Sequence, residues 1–155
     1  EHVAHALILG TTNFQIPAGG DATGTAEWTA PGNLNLLQLV THEHRLGTTA
    51  NIEIVEIDGV TKTKIYDNDN WEHPVRPDPE LITHLAKGQK IRITCNWHNT
   101  DAKIIGFGPK TTDEMCFILG FFYRDPGDTE PLQSSACIGS SSGGLLCPAA
   151  PVVHN

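Results

Sequence analysis

Two histidines one residue apart, in Thr41-His42-Glu43-His44-Arg45-Leu46-Gly47, project to the same side of the chain if that stretch is extended, because strand side chains alternate faces. Both imidazoles can then reach one metal ion. A third donor has to come from another segment. The sole methionine, Met115, lies in Thr111-Thr112-Asp113-Glu114-Met115-Cys116, ahead of an apolar run that strand pairing could bring alongside. Imidazole suits copper, while a thioether is a soft donor that favours Cu(I) and serves Mg, Ca or Mn poorly. His42, His44 and Met115 thus form a candidate redox copper site. Taken alone, a His-x-His pair more often marks a solvated strand face and a lone methionine more often fills core, so the surrounding chain decides.

The elements that must position these residues read as strands. Residues 3–9 and 14–16 are short apolar runs, closed by Gly10 and by Pro17-Ala18-Gly19-Gly20. Residues 23–29 form a third strand. Residues 34–44 form the longest, apolar at Leu36, Leu37, Leu39 and Val40 and so expected to be buried on both sides before reaching the histidines. Residues 51–57 and 62–66 form a hairpin about Asp58-Gly59. Asp78-Pro79-Glu80 ahead of residues 81–85, with Gly88 as a stop, predicts one short helical turn. Residues 89–97 put Ile91, Ile93 and Cys95 on one face and Arg92, Thr94 and Asn96 on the other, and residues 115–123 are apolar on both faces. Gly/Pro turn signals recur about every 8–12 residues and no helical period persists. The expectation is an all-β, single antiparallel β-sandwich of jelly-roll-like type, with roughly eight or more short strands.

Composition bounds the partners. At 155 residues the chain is long enough for one domain with a single sizeable core. We assign residues 1–125 to the copper-binding sandwich and residues 126–155, where Pro, Gly and Ser dominate, to a C-terminal extension of loop packed on it. Ten Lys plus Arg against 18 Asp plus Glu give a formal charge of -8, which repels a phosphate backbone, so nucleic acid is not an expected partner. No apolar run is long enough for a membrane span, and Glu1-His2-Val3 does not open a signal peptide, which predicts a soluble chain, either mature or excised from a larger one.

Two further patterns lead nowhere. Gly139-Ser140-Ser141-Ser142-Gly143 matches a hydrolase nucleophile motif without the strand and helix that motif needs. Asp67-Asn68-Asp69-Asn70 lacks the spacing and terminal glutamate of a calcium loop and reads as a solvated turn. Of the six other histidines, His98 beside Trp97 is the best fourth donor if one exists.

The motifs His42-Glu43-His44-Arg45-Leu46-Gly47, Glu72-His73-Pro74-Val75 and Thr112-Asp113-Glu114-Met115-Cys116, the last followed by an aromatic strand, carry a resemblance. Over residues 17–124 the chain resembles the C-terminal domain of the type II ascorbate-dependent copper monooxygenases, the family of the peptide-amidating and dopamine-hydroxylating enzymes, as a single-domain version. The resemblance implies one copper ion per chain on His42, His44 and Met115, an external reductant such as ascorbate, and dioxygen or peroxide as co-substrate at a C–H bond. In the family a second copper sits in a separate N-terminal domain not contained in these residues. A partner, a reductant or peroxide must then substitute, or the chain is a non-catalytic extracytoplasmic copper-binding or electron-transfer module of a larger protein.

Four cysteines allow three pairings. The resembled family carries a disulfide between the strands that hold Cys95 and Cys116, expected here to be antiparallel neighbours. Cys137 and Cys147 would then close a second, local loop, worth roughly 2–3 kcal/mol in the chain-entropy model. Such bonds persist in oxidising compartments, which predicts a secreted, periplasmic or cell-surface protein. The peptide-amidating members anchor their substrate carboxylate with an arginine two before the first histidine and with an asparagine and a tyrosine two and four after the methionine. Those positions are Val40, Phe117 and Leu119 here. None can pair with a carboxylate, so the expected substrate is apolar.

Overall fold

A computed structural model describes residues 4–125, 127, 138–139 and 144–146. Twelve strands follow in chain order: β1 (His5–Thr11), β2 (Gln15–Ile16), β3 (Asp21–Thr29), β4 (Leu34–His42), β5 (Gly47–Val55), β6 (Lys62–Asn68), β7 (Ile82–Leu85), β8 (Lys90–His98), β9 (Ile105–Gly106), β10 (Phe117–Tyr123), β11 (Ile138–Gly139) and β12 (Gly144–Leu146). One sheet runs β11-β12-β1-β10-β4-β7 and the other β3-β8-β5-β6, with β2 and β9 a separate pair. All named strand pairings are antiparallel, and there is no helix among the described residues.

Alternation explains the sandwich. On β8, Ile91, Ile93, Cys95 and Trp97 are at most 1% exposed, while Arg92, Thr94 and Asn96 face outward. Leu7, Leu9, Leu36, Leu39, Ile118 and Phe122 of the larger sheet meet Ala26, Ile52, Ile54, Ile91 and Ile93 of the smaller in one apolar core. At about 1.5–3 kcal/mol per buried aliphatic or aromatic side chain, this layer is the main stabilising term.

Several expectations are corrected. Residues 82–85 form an edge strand paired with β4, not a helical turn. Asp78 closes a tight turn, accepting the Glu80 N–H on Oδ1 and the Leu81 N–H on its carbonyl, and the β-capable Ile-Thr-His-Leu run then gains more from the open edge of β4 than from one helical turn. The Cys95–Cys116 disulfide forms, but Cys95 lies on β8 and Cys116 just before β10, in opposite sheets, so the bond staples the two layers instead of joining neighbours. Part of the tail is strand, because β12 adds to the free edge of β1 and β11 to β12. Cys137, Cys147 and Ser140 lie outside the described residues.

Candidate metal centre

His42 is the last residue of β4 and His44 lies two residues beyond, off the strand. The sequence expectation of one strand to residue 44 is therefore two residues too long. The rings still come together, edge to face, with centroids 5.2 Å apart. His42 is half-buried and His44 is buried, at 7% exposure.

What turns His42 away from the core is a bulge. Leu34, Asn35 and Leu36 are all buried, with the core leucines at even positions of β4, but further along the buried residues are Leu39 and Thr41, at odd positions. The switch falls at Gln38, whose φ is +50°, where the register with β10 slips between Leu119 and Phe121. Unbroken alternation would have aimed His42 inward with Leu34 and Leu36. Gly120 faces the bulge, and a Cβ there would lie 2.8 Å from Leu39 Cδ2 and 3.0 Å from the Leu37 carbonyl. The strand is accordingly not buried on both sides, since Leu37 and Val40 are only half-buried.

His44 is held by the segment that carries the methionine. Its Nδ1 is 3.0 Å from the backbone carbonyl of Asp113. A carbonyl only accepts, so the proton is on Nδ1 and the lone pair is on Nε2. Burial, then the neighbouring His44, holds the His42 pKa below its ordinary value, which keeps that imidazole neutral at pH 7. Two imidazoles, one of them oriented by a backbone partner, are a donor pair of the kind a copper ion takes.

Met115 precedes β10 by two residues and is half-buried. The ladder pairs Phe117 with His42 and Leu119 with Val40. The ladder ends at the Phe117–His42 pair; Met115 lies two residues before it on one side and His44 two residues beyond it on the other. Cys116, on the opposite parity, is fully buried in its disulfide. Among the described residues no group of three or more His, Cys, Asp or Glu side chains could hold a metal ion.

The remaining histidines sit elsewhere. His98 Nδ1 is 2.7 Å from Asp21 Oδ1 at an exposed strand end, His84 bonds Asn35, His5 stacks on Phe122, and the His73 amide donates to Asn70 Oδ1. His2 and His154 lie outside the described residues.

Two acidic residues escaped the sequence reading. Glu114 is 0% exposed, and its carboxylate accepts the N–H groups of His44 at 2.9 Å and Leu46 at 2.7 Å. Glu43, between the histidines, is 3% exposed, and neither of its carboxyl oxygens has a hydrogen-bond partner among the described residues. Burial, reinforced by the Glu114 carboxylate, pushes its pKa from 4.5 to about 9, so it is a neutral acid at pH 7. No local signal marks either carboxyl as buried, since a buried charge is rare unless it is paired and the partners of Glu114 lie 68 and 70 residues away.

The face of the larger sheet that carries His42 is apolar. Phe117 lies across from both His42 and Gly10 and meets Phe107 edge to face at 6.0 Å. Further along the same strands, Ala6, Ile8, Val40, Leu119 and Phe121 line a shallow depression of about 290 Å³.

A family model described as copper type II ascorbate-dependent monooxygenase, C-terminal domain, matches residues 11–147. No curated protein matches the chain.

Proposed function

Since the chain belongs to the family of C-terminal domains of copper type II ascorbate-dependent monooxygenases, we propose that it is the oxygen-activating, mononuclear copper domain, with one ion held by His42, His44 and Met115. The single observation that carries this reading is the His44 ring, whose Nδ1–H is committed to the Asp113 carbonyl. That bond leaves Nε2 as a donor beside His42 and ties the histidine turn to the residues next to Met115. The strand order β1-β10-β4-β7 against β3-β8-β5-β6 supports a jelly-roll-like sandwich as its scaffold.

When bound, copper supplies redox chemistry toward dioxygen or peroxide, with electrons from a reductant such as ascorbate. The chain's own residues do the rest. The Asp113 carbonyl fixes the tautomer and plane of His44. Burial keeps His42 unprotonated and available. Phe117 and the Val40–Leu119 pair give an apolar approach to His42 that offers no partner to a carboxylate. The substrate is accordingly an apolar molecule presenting a C–H bond. The inter-sheet disulfide and the family fit an extracytoplasmic site of action.

The test is turnover of the copper-loaded protein with ascorbate and dioxygen, or with peroxide, against matched apolar and carboxylate-bearing substrates. Oxygenation of the apolar set supports the reading. Copper binding at these residues with no turnover under either condition leaves a copper-binding module and removes the catalytic part of the proposal.

A further inference from the structure

We infer that Glu114 is the positioning residue of this centre, its carboxylate being the template that fixes the histidine turn against the methionine before metal arrives. The inference rests on the copper reading above.

A fully buried carboxylate needs partners. Glu114 finds them in backbone N–H groups that strand pairing does not satisfy, because β4 stops at His42 and β5 starts at Gly47. Oε1 accepts the Leu46 N–H at 2.7 Å. Oε2 accepts the His44 N–H at 2.9 Å and, more weakly, the Met115 N–H at 3.3 Å. The backbone nitrogens of two proposed ligands thus share one oxygen atom, although His44 and Glu114 are 70 residues apart in sequence. Charge-assisted bonds of this kind are about twice as strong as neutral ones.

The template is itself anchored. The Glu114 N–H donates to the Gly106 carbonyl at 3.0 Å, and its own carbonyl accepts from the Gly108 N–H at 3.2 Å. The next residue but one, Cys116, is tied through its disulfide to β8. On the other side of the turn, the Leu46 carbonyl accepts the His98 N–H at 2.9 Å. Every covalent path between His44 and Met115 is long, and two short paths join them, the His44 ring contact to the Asp113 carbonyl and this carboxylate, which alone accepts both backbone N–H groups. Its role is to hold the imidazole and the thioether at one separation, which matters most to Cu(I), the state that uses the soft donor.

Glu114→Gln tests this. The amide keeps the size but presents N–H groups where one oxygen accepted, so the turn loses at least one bond. The expected result is a fall in Cu(I) affinity of about 10–100-fold, the range for outer partners of metal ligands, with a weakened copper–sulfur shell in the X-ray absorption spectrum of the Cu(I) form. Leu9→Ala, a core truncation on the inner face of β1, is the control and should lower stability while leaving both copper readouts unchanged. Parental Cu(I) affinity and an unaltered sulfur shell in a folded Glu114→Gln protein overturn the inference.

If Glu114→Gln does not fold, amide hydrogen exchange in the metal-free parent decides. The His44 and Leu46 amides should be strongly protected, and exchange at the rate of an unstructured chain overturns the inference. A parent whose Cu(I) spectrum has no sulfur shell contradicts the proposed function instead, and the same exchange measurement still tests the clamp.

Discussion

The Nδ1 of His44 stands 3.0 Å from the carbonyl oxygen of Asp113, and this one contact assigns the tautomer of a proposed metal ligand. Because the carbonyl has no proton to give, His44 must carry its hydrogen on Nδ1. Long-range nitrogen–proton NMR on the metal-free protein should therefore show a protonated Nδ1 and an unprotonated Nε2 for His44 above the imidazole titration range. The opposite tautomer would leave no fixed Nε2 donor.

Glu43 should make the metal-free protein less stable as pH rises. Its folded pKa, about 9, lies above its ordinary 4.5, so between those values the folded chain holds a proton that the unfolded chain releases. Stability present below about pH 4.5 is then lost toward pH 9, with a slope approaching about 1.4 kcal/mol per pH unit from this group. Glu43→Gln should flatten that slope in chemical denaturation series at pH 5 to 9. His42 acts in the opposite sense: its folded pKa is lowered, so its contribution is lost as pH falls through its ordinary value near 6.5.

The bulge at Gln38 should be required for the aim of His42. Gln38→Gly keeps the left-handed backbone without a Cβ and should be tolerated or stabilising. Gln38→Val places a β-branched residue there and should cost about 1–3 kcal/mol. Gly120→Ala drives a methyl against Leu39 and the Leu37 carbonyl, an overpacking worth about 1–3 kcal/mol. The latter two should also weaken copper binding. Thermal melts together with copper titrations check this set, and full copper affinity in a destabilised Gln38→Val protein would detach the bulge from the site.

Legibility in the sequence followed the range of the interactions involved. Period-two alternation in residues 90–98 was plain, because one face of β8 is core and the other is solvent. The 34–44 run could not reveal its own break: Leu36, Leu37, Leu39 and Val40 are all apolar, and only the pairing with Phe121 and Leu119 shows that the face changes at Gln38. Asp78-Pro79 read as the start of a helical turn, but Asp78 closes a tight turn and what followed it was decided by the free edge of β4, which no local signal records. The motif around Glu114 was visible while its role was not, since the N–H groups it satisfies belong to residues 44 and 46.

The participation of Met115 as a ligand is the central claim, and it is tested most directly by titrating Met115→Ala and the parent with Cu(I) and Cu(II) in competition with chelators of known affinity. A thioether contributes chiefly to the reduced ion, whereas Cu(II) is satisfied by nitrogen and oxygen donors. The account predicts that Met115→Ala loses at least about tenfold in Cu(I) affinity, about 1.4 kcal/mol, and distinctly less for Cu(II), while His42→Ala weakens both. If Met115→Ala holds Cu(I) as tightly as the parent, Met115 is core filler and the proposed copper centre is wrong.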